Sequence, residues 1–269
     1  MLNQGLWSAP GCDIRFWDHP GDSAPVVFLH GAGADHLMFD AQARHLARQG
    51  HRVVTWDLRG HGLSRPSAEP FTAEQALTDL AGLIDRLGLD RPVLAGQSLG
   101  GNLAQEAVRR WPRMARALVV IDSAWNAAPL SATDRLLLRL ASPALSLIPA
   151  GSLPRVLANA SAVTPGARAD ARRAFALLSK PEFLAAWRAT ATLLRPDPGY
   201  RTPVPLLLIR GERDRTGDIA ARMPRWAATD GVAEHVIAGA GHIANQDAPD
   251  AVNEVLSAFL HGLPEAGDR

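Results

Sequence analysis

The stretch that most limits how this chain can fold is a junction with no room for a loop. Residues 92–95 form an apolar run, Gly96-Gln97-Ser98-Leu99-Gly100 follows directly with Gly101 behind it, and a helical pattern then runs from Leu99 to Arg110, with Pro112 just beyond. A strand that passes straight into a helix bends so tightly that the positions flanking the bend must be small. The residue at the apex takes strained backbone angles, and its side chain projects from the top of the sheet. The N–H groups that open the new helix point at any negative charge developing there. Ser98 occupies that apex.

The rest of the chain has the rhythm such a junction requires. Apolar runs at 26–29, 53–56, 92–95, 118–121, 206–209 and 235–237 alternate with longer periodic segments, the pattern of a parallel sheet with crossover helices. Several runs are rich in Val, Leu and Ile without polar alternation, as strands covered on both faces should be. Residues 6–17 read as a hairpin turning at Ala9-Pro10-Gly11. Thr72 and Gln75 predict a capping box for a helix carrying Ala76, Leu80, Leu83, Ile84 and Leu87, stopped by Gly88. A further helix is expected over 249–260, and residues 264–269 are expected to fray.

Between 123 and 202 the rhythm breaks. About 80 residues show helical patterning, richness in Ala and Leu and several prolines, without a convincing strand, and a structureless loop of that length is improbable. The chain is therefore read as an α/β core over 1–123 and 203–269, with a helical cap over 124–202 inserted between the sixth and seventh strands, the hairpin supplying two. The cap carries 10 Arg plus Lys against 4 Asp plus Glu, or +6. With a formal net charge of +1 for the chain, the core is at −5.

That overall balance leaves no electrostatic footprint for nucleic acid or a membrane surface. The most apolar stretch, 136–153, is interrupted by Arg139, and Pro143 and Pro149 are expected to break it, so no spanning helix is expected. Residues 1–10 lack the pattern of a signal peptide. The single cysteine, Cys12, cannot form an intrachain disulfide. A soluble, cytoplasmic protein is the expectation. Lys180 is the one lysine among 28 Lys plus Arg, which confines lysine-based covalent chemistry to one position.

A serine hydroxyl attacks only when a base takes its proton, so the chain must bring a histidine to Ser98. Of nine histidines, His242 is best placed, in the flexible Gly239-Ala240-Gly241-His242 loop after the run at 235–237. His30 and His61, in glycine-rich loops, are expected to hold those loops. The base needs a carboxylate to orient it and to stabilise the imidazolium. Three aspartates end strands: Asp57, Asp122 and Asp214. Asp214 stands first, one strand before the histidine loop, with Asp122 second.

Attack on a carbonyl creates an oxyanion that needs preorganised N–H donors. Leu99 N–H supplies one and Ala32 N–H, in the turn His30-Gly31-Ala32-Gly33, the other. That glycine-rich turn lacks both the Lys-Ser/Thr of a phosphate-binding P-loop and the G-x-G-x-x-G spacing of a dinucleotide site. Trp125 is a candidate for the substrate pocket, with a packing role as the alternative. No cluster has metal-ligand spacing, and the chemistry calls for no cofactor.

These residues resemble the α/β-hydrolase superfamily over essentially the whole chain. Besides the junction at Ser98, the segment Asp57-Leu58-Arg59-Gly60-His61-Gly62-Leu63-Ser64 looks like that superfamily's loop after its fourth strand. His30-Gly31 looks like its oxyanion turn, and Gly241-His242 followed by Pro249 like its histidine loop. The order Ser98, Asp214, His242 is that superfamily's order. The resemblance implies an eight-stranded, mostly parallel sheet with the site beneath the cap. It is strongest to the capped, cofactor-free esterase, enol-lactonase and carbon–carbon hydrolase branch. Serine at 98 argues against haloalkane dehalogenases and epoxide hydrolases, which use aspartate there. Carbon–carbon hydrolases usually carry a longer glycine-proline turn, where this chain has Ala34-Asp35 after Gly33.

The expected activity is hydrolysis of a small-molecule carboxylic ester or lactone. The alternatives are cleavage of a vinylogous β-diketone, acyl transfer to an acceptor other than water such as peroxide, and ligand binding without turnover. Oligomeric state is left open.

Overall fold

The computed structural model of the chain describes residues 2–264, so most of the tail expected to fray lies outside the described residues. Eight strands form one sheet: β1 (Asn3–Ala9), β2 (Cys12–His19), β3 (Ser23–Leu29), β4 (His51–Trp56), β5 (Val93–Gln97), β6 (Ala117–Ile121), β7 (Leu206–Gly211) and β8 (Glu234–Ile237). Their spatial order is β1-β2-β4-β3-β5-β6-β7-β8. β1 and β2 pair antiparallel through the expected turn, β2 joins β4 antiparallel, and every other pairing is parallel. β5 and β6 are buried at every position, as the apolar sequence of β6 and of β5 up to Gln97 requires.

Alternation along the strands sorts the core into two layers. Val27, Leu29, Leu94, Leu118, Val120, Leu206 and Leu208 face α2 (Ala73–Arg86), α3 (Leu99–Arg110) and α8 (Ile219–Asp230). Val26, Phe28, Val93, Ala95, Val119, Ile121 and Ile209 face α1 (Asp40–Arg48) and α10 (Pro249–His261). Each fully buried Leu or Val in these layers contributes roughly 1.5–3 kcal/mol. The parallel register sets Leu29 beside Gly96, Gln97 beside Ile121, Ile121 beside Ile209 and Gly211 beside Ile237. The C-terminal ends of β3, β5, β6, β7 and β8 therefore share one edge of the sheet, where open α/β sheets bind ligands.

Four helices separate β6 from β7: α4 (Ala132–Ser146), α5 (Leu153–Ser161), α6 (Pro165–Phe175) and α7 (Lys180–Thr192). Ser131 with Asp134 forms a full capping box at α4, Ser179 N–H donates to Glu182 Oε2 (2.7 Å) at the start of α7, and Thr164 caps α6 ahead of Pro165.

Two local expectations are corrected. Pro143 does not break the apolar stretch but lies inside α4, which continues to Ser146. It sits close enough to the helix end that few later backbone bonds depend on it. At α2, Thr72 Oγ1 does accept from Gln75 N–H (3.3 Å), but its hydroxyl donates to Gln75 Oε1 (2.9 Å), so the Gln75 side chain does not return to the Thr72 backbone and the box is half-formed. Among the described residues no helix is long and apolar enough to cross a membrane.

Candidate active site

At the junction of β5 and α3 the backbone leaves no space for side chains. A Cβ on Gly100 would fall inside the Leu29 carbonyl, and one on Gly96 inside the backbone of Gly100. Ser98 carries the resulting strain, with φ 51° and ψ −118°, a region L-residues avoid. Its N–H donates to Ile121 O (3.0 Å), and its carbonyl accepts from Asn102 N–H (3.0 Å) and the Ser123 hydroxyl (2.7 Å). Only the Ser98 side chain remains to act.

His242 Nε2 lies 3.0 Å from Ser98 Oγ, and His242 Nδ1 lies 3.0 Å from Asp214 Oδ2. A carboxylate can only accept, so the neutral imidazole carries its proton on Nδ1 and leaves Nε2 free to accept from the serine hydroxyl. The other Asp214 oxygen accepts from Thr216 N–H (2.8 Å), which fixes the carboxylate plane.

Burial opposes charging His242. The Asp214 carboxylate, through its charge and hydrogen bond, and Asp122 behind it outweigh that and hold the imidazole above its ordinary value of 6.5. Burial likewise acts to raise Asp214, but His242 and the Thr216 N–H leave it below the usual carboxylate range.

The histidine loop is tied down residue by residue. Gly241 N–H donates to Asp247 Oδ2 (2.8 Å), Gln97 Nε2 donates to His242 O (2.6 Å), Ile243 N–H donates to Ser161 O (3.2 Å) and Ala244 N–H donates to Asp122 Oδ2 (2.9 Å). These anchors come from α9 (Ala244–Asp247), β5, α5 and the end of β6.

The three strand-ending aspartates thus separate by contact. Asp214 meets His242. Asp122, with φ 44°, points its oxygens at Gly211 N–H (2.7 Å) and Ala244 N–H, and burial pushes its carboxyl up to about 7. Asp57 accepts from His36 N–H (2.6 Å), His36 Nδ1 (2.9 Å) and Leu63 N–H (2.6 Å), binding two loops together.

The turn after β3 lies against the serine: a Cβ on Gly31 would stand 3.4 Å from Ser98 Cβ. His30 shapes that turn by donating from Nδ1 to Gly31 O (2.8 Å) and accepting Leu58 N–H at Nε2 (3.0 Å). His61 donates to Arg59 O (3.0 Å), and burial holds it neutral, its pKa lowered to about 3. Both histidines hold loops. Among the described residues neither Ala32 N–H nor Leu99 N–H has a hydrogen-bond partner, so neither is committed to a protein acceptor. Over this turn sit Phe175 of α6 and Phe183 of α7, in edge contact at 5.9 Å, each 2.8 Å from where a Cβ on Gly33 would be.

Trp125 is not brought to this group. Its ring stacks on Trp226 of α8 (6.1 Å between centroids, 6° between planes) and neighbours Gln105, Arg109 and Tyr200, toward the far end of α3. The packing alternative is the one observed. Sequence reasoning passed over Gln97, Ser123, Ser161 and Asp247. Gln97 had a signal, since a glutamine ending an otherwise apolar central strand must find a partner. Asp247 meets Gly241 locally, but its other partners, Val163 and Thr164, lie more than 80 positions away, and nothing local announces them.

The alignment with the sn-1-specific diacylglycerol lipase ABHD11 of Danio rerio is 37% identical but takes in 39% of this chain and 33% of that protein, about a third of its length. Haloalkane dehalogenase 2 of Mycobacterium tuberculosis is 31% identical over 257 residues, 86% of each chain. Among solved structures, a thermophilic esterase from Thermogutta terrifontis superposes with a TM-score of 0.79 at 26% identity, covering 97% of this chain and 99% of that one. Residues 26–255 match the alpha/beta hydrolase family, and with the eight-stranded sheet in place the chain belongs to that family.

Proposed function

We propose that the chain is a serine hydrolase that cleaves a carboxylic ester or lactone of a small, largely apolar substrate through an acyl-enzyme. The observation that carries this reading is the unbroken line from Ser98 Oγ to His242 to Asp214 at 3.0 Å per step, beside two backbone N–H groups without partners. His242 takes the hydroxyl proton as Ser98 attacks the carbonyl carbon, and the carbonyl oxygen becomes an oxyanion held by Ala32 and Leu99 N–H. The imidazolium, stabilised by Asp214, returns that proton to the departing alcohol. Water then repeats the sequence, releasing the acid and restoring Ser98.

Phe175 and Phe183 over the turn favour an apolar substrate. Arg173, the cation of α6 that reaches the turn, is paired with Asp35 at 2.6 and 2.9 Å, which leaves it poorly placed to hold a substrate carboxylate. The 26% identity to an esterase over nearly the full chain supports the ester reading. Residues 124–202 serve here as a cap over the site.

The test is hydrolysis of p-nitrophenyl esters of graded acyl length, with Ser98→Ala in parallel. Turnover of short or medium chains that falls by about 10⁵-fold or more in Ser98→Ala is the expected result. Activity surviving the substitution removes Ser98 as nucleophile. Silence of the wild type across the series overturns the general-esterase reading.

A further inference from the structure

Two of the four anchors on the histidine loop are internal to the sheet's own edge, namely Gln97 and Asp122. The other two reach into the helical insert. Ile243 N–H donates to Ser161 O, the last residue of α5, and a Cβ on Gly241 would stand 2.9 Å from that same oxygen. Asp247 does more. One of its oxygens takes Gly241 N–H, while the carboxylate also receives Val163 N–H (3.0 Å to each oxygen), Thr164 N–H (2.7 Å) and the Thr164 hydroxyl (3.0 Å). Thr164 in turn accepts Ala167 N–H (3.3 Å) and so caps α6. Among the described residues Asp247 has no cationic partner; backbone donors and one hydroxyl satisfy it.

On the reading of Ser98, His242 and Asp214 given above, we propose that Asp247 is a positioning residue that makes the α5–α6 junction of the insert part of the support of His242. Of the residues flanking His242, Ile243 is bonded to Ser161 of the insert directly, and Gly241 is linked to Val163 and Thr164 of the insert through Asp247. The imidazole therefore has its orientation between Ser98 and Asp214 fixed partly from outside the sheet. Asparagine at 247 could accept on one oxygen only, and its amide would meet N–H donors with N–H. Either the Gly241 bond or the bonds from Thr164 would then be lost, because the first uses one oxygen and the others use the second. A shift of the catalytic base by about 1 Å lowers rate by as much as about 10²-fold.

The charged groups facing His242 are Asp214 and Asp122. If the ring turns away from Asp214, the charge and hydrogen bond that hold its pKa up weaken, burial dominates, and the pKa falls.

The experiment compares wild type, Asp247→Asn and Thr164→Val, each as the full chain, on the p-nitrophenyl ester the wild type turns over fastest. The expected result for Asp247→Asn is a kcat lower by about ten- to a hundredfold with KM changed less than about threefold, and the acid limb of kcat/KM moved to lower pH. Thr164→Val, which removes the hydroxyl bond to Asp247 together with the cap bond from Ala167 N–H but keeps the backbone bonds to Asp247, should move both readouts the same way by less. A lower melting temperature with kcat and the acid limb unchanged overturns the proposal, as does a loss confined to KM. Should Asp247→Asn fail to fold, the Thr164→Val limb decides in the same terms. An inactive wild type overturns the esterase reading and this inference together, whereas an active wild type with unaltered variants overturns this inference alone.

Discussion

Around Ser98 close backbone contact positions the side chain: Gly96 lets β5 meet the start of α3, Gly100 lets α3 meet the end of β3, and Ser98 sits strained at the apex between them. Around His242 the backbone is permissive, with Gly239 at φ 72° and Gly241 nearby, and order comes from outside through Asp247, Gln97, Ser161 and Asp122. The proposed nucleophile is thus placed by local sterics and the proposed base by hydrogen bonds from other elements. Steric placement fails all at once when its space is filled, because packed interiors do not yield. Placement by several tethers fails by degrees, each net bond being worth about 1 kcal/mol.

The comparison is sharpened most by Asp214→Asn. It keeps the shape of the histidine's partner but removes its charge and its demand for the Nδ1–H tautomer, and kcat should fall by about 10⁴-fold. His242 is held above 6.5 with Asp214 as the principal raising influence, so the proposed activity should be lost as pH falls through that raised value. In the variant the acid limb of kcat/KM should move to lower pH. An unmoved limb would mean that Asp214 does not set the charge on His242.

Gly100→Ala tests the steric side. A methyl there has no space against the Leu29 carbonyl, and the expected cost is about 3 kcal/mol or more, read as a drop in the urea midpoint, with Ser98 displaced as well. A stable and fully active Gly100→Ala would break the steric half of the comparison. Gln97→Leu tests the tethered side with the smallest effect. It removes the donor to His242 O at similar volume, and kcat should fall by about tenfold while the fold persists. A collapse of the fold instead would mean that Gln97 matters as packing rather than as a tether.

The same contrast explains what the sequence disclosed. Features set by neighbours in the chain were legible: the hairpin at Pro10-Gly11, the start of α3 at Leu99 and its end at Arg110, and Ser98 at the apex. Choosing Asp214 over Asp122 was only partly legible, because both end parallel strands on the same edge. What separates them is that Asp122 turns its oxygens onto Gly211 and Ala244, a matter of three-dimensional placement. Trp125 lay just past β6 in sequence, yet its ring found Trp226 of α8, since a large apolar side chain goes where a complementary surface exists. Pro143 was read as a breaker when the helix could tolerate it near its end. Gln97 carried its own signal, but the tethers through Ser161 and through Asp247 to Val163 and Thr164 were illegible, because those partners come together only once the insert has folded against the sheet edge.

The most direct measurement is covalent: incubate the full chain with a fluorophosphonate, which reacts with an activated serine, and map the adduct by peptide mass spectrometry. One adduct is expected, on Ser98, formed rapidly in the wild type and slowed strongly by Asp214→Asn. No adduct, or one on another residue with Ser98 untouched, would contradict it.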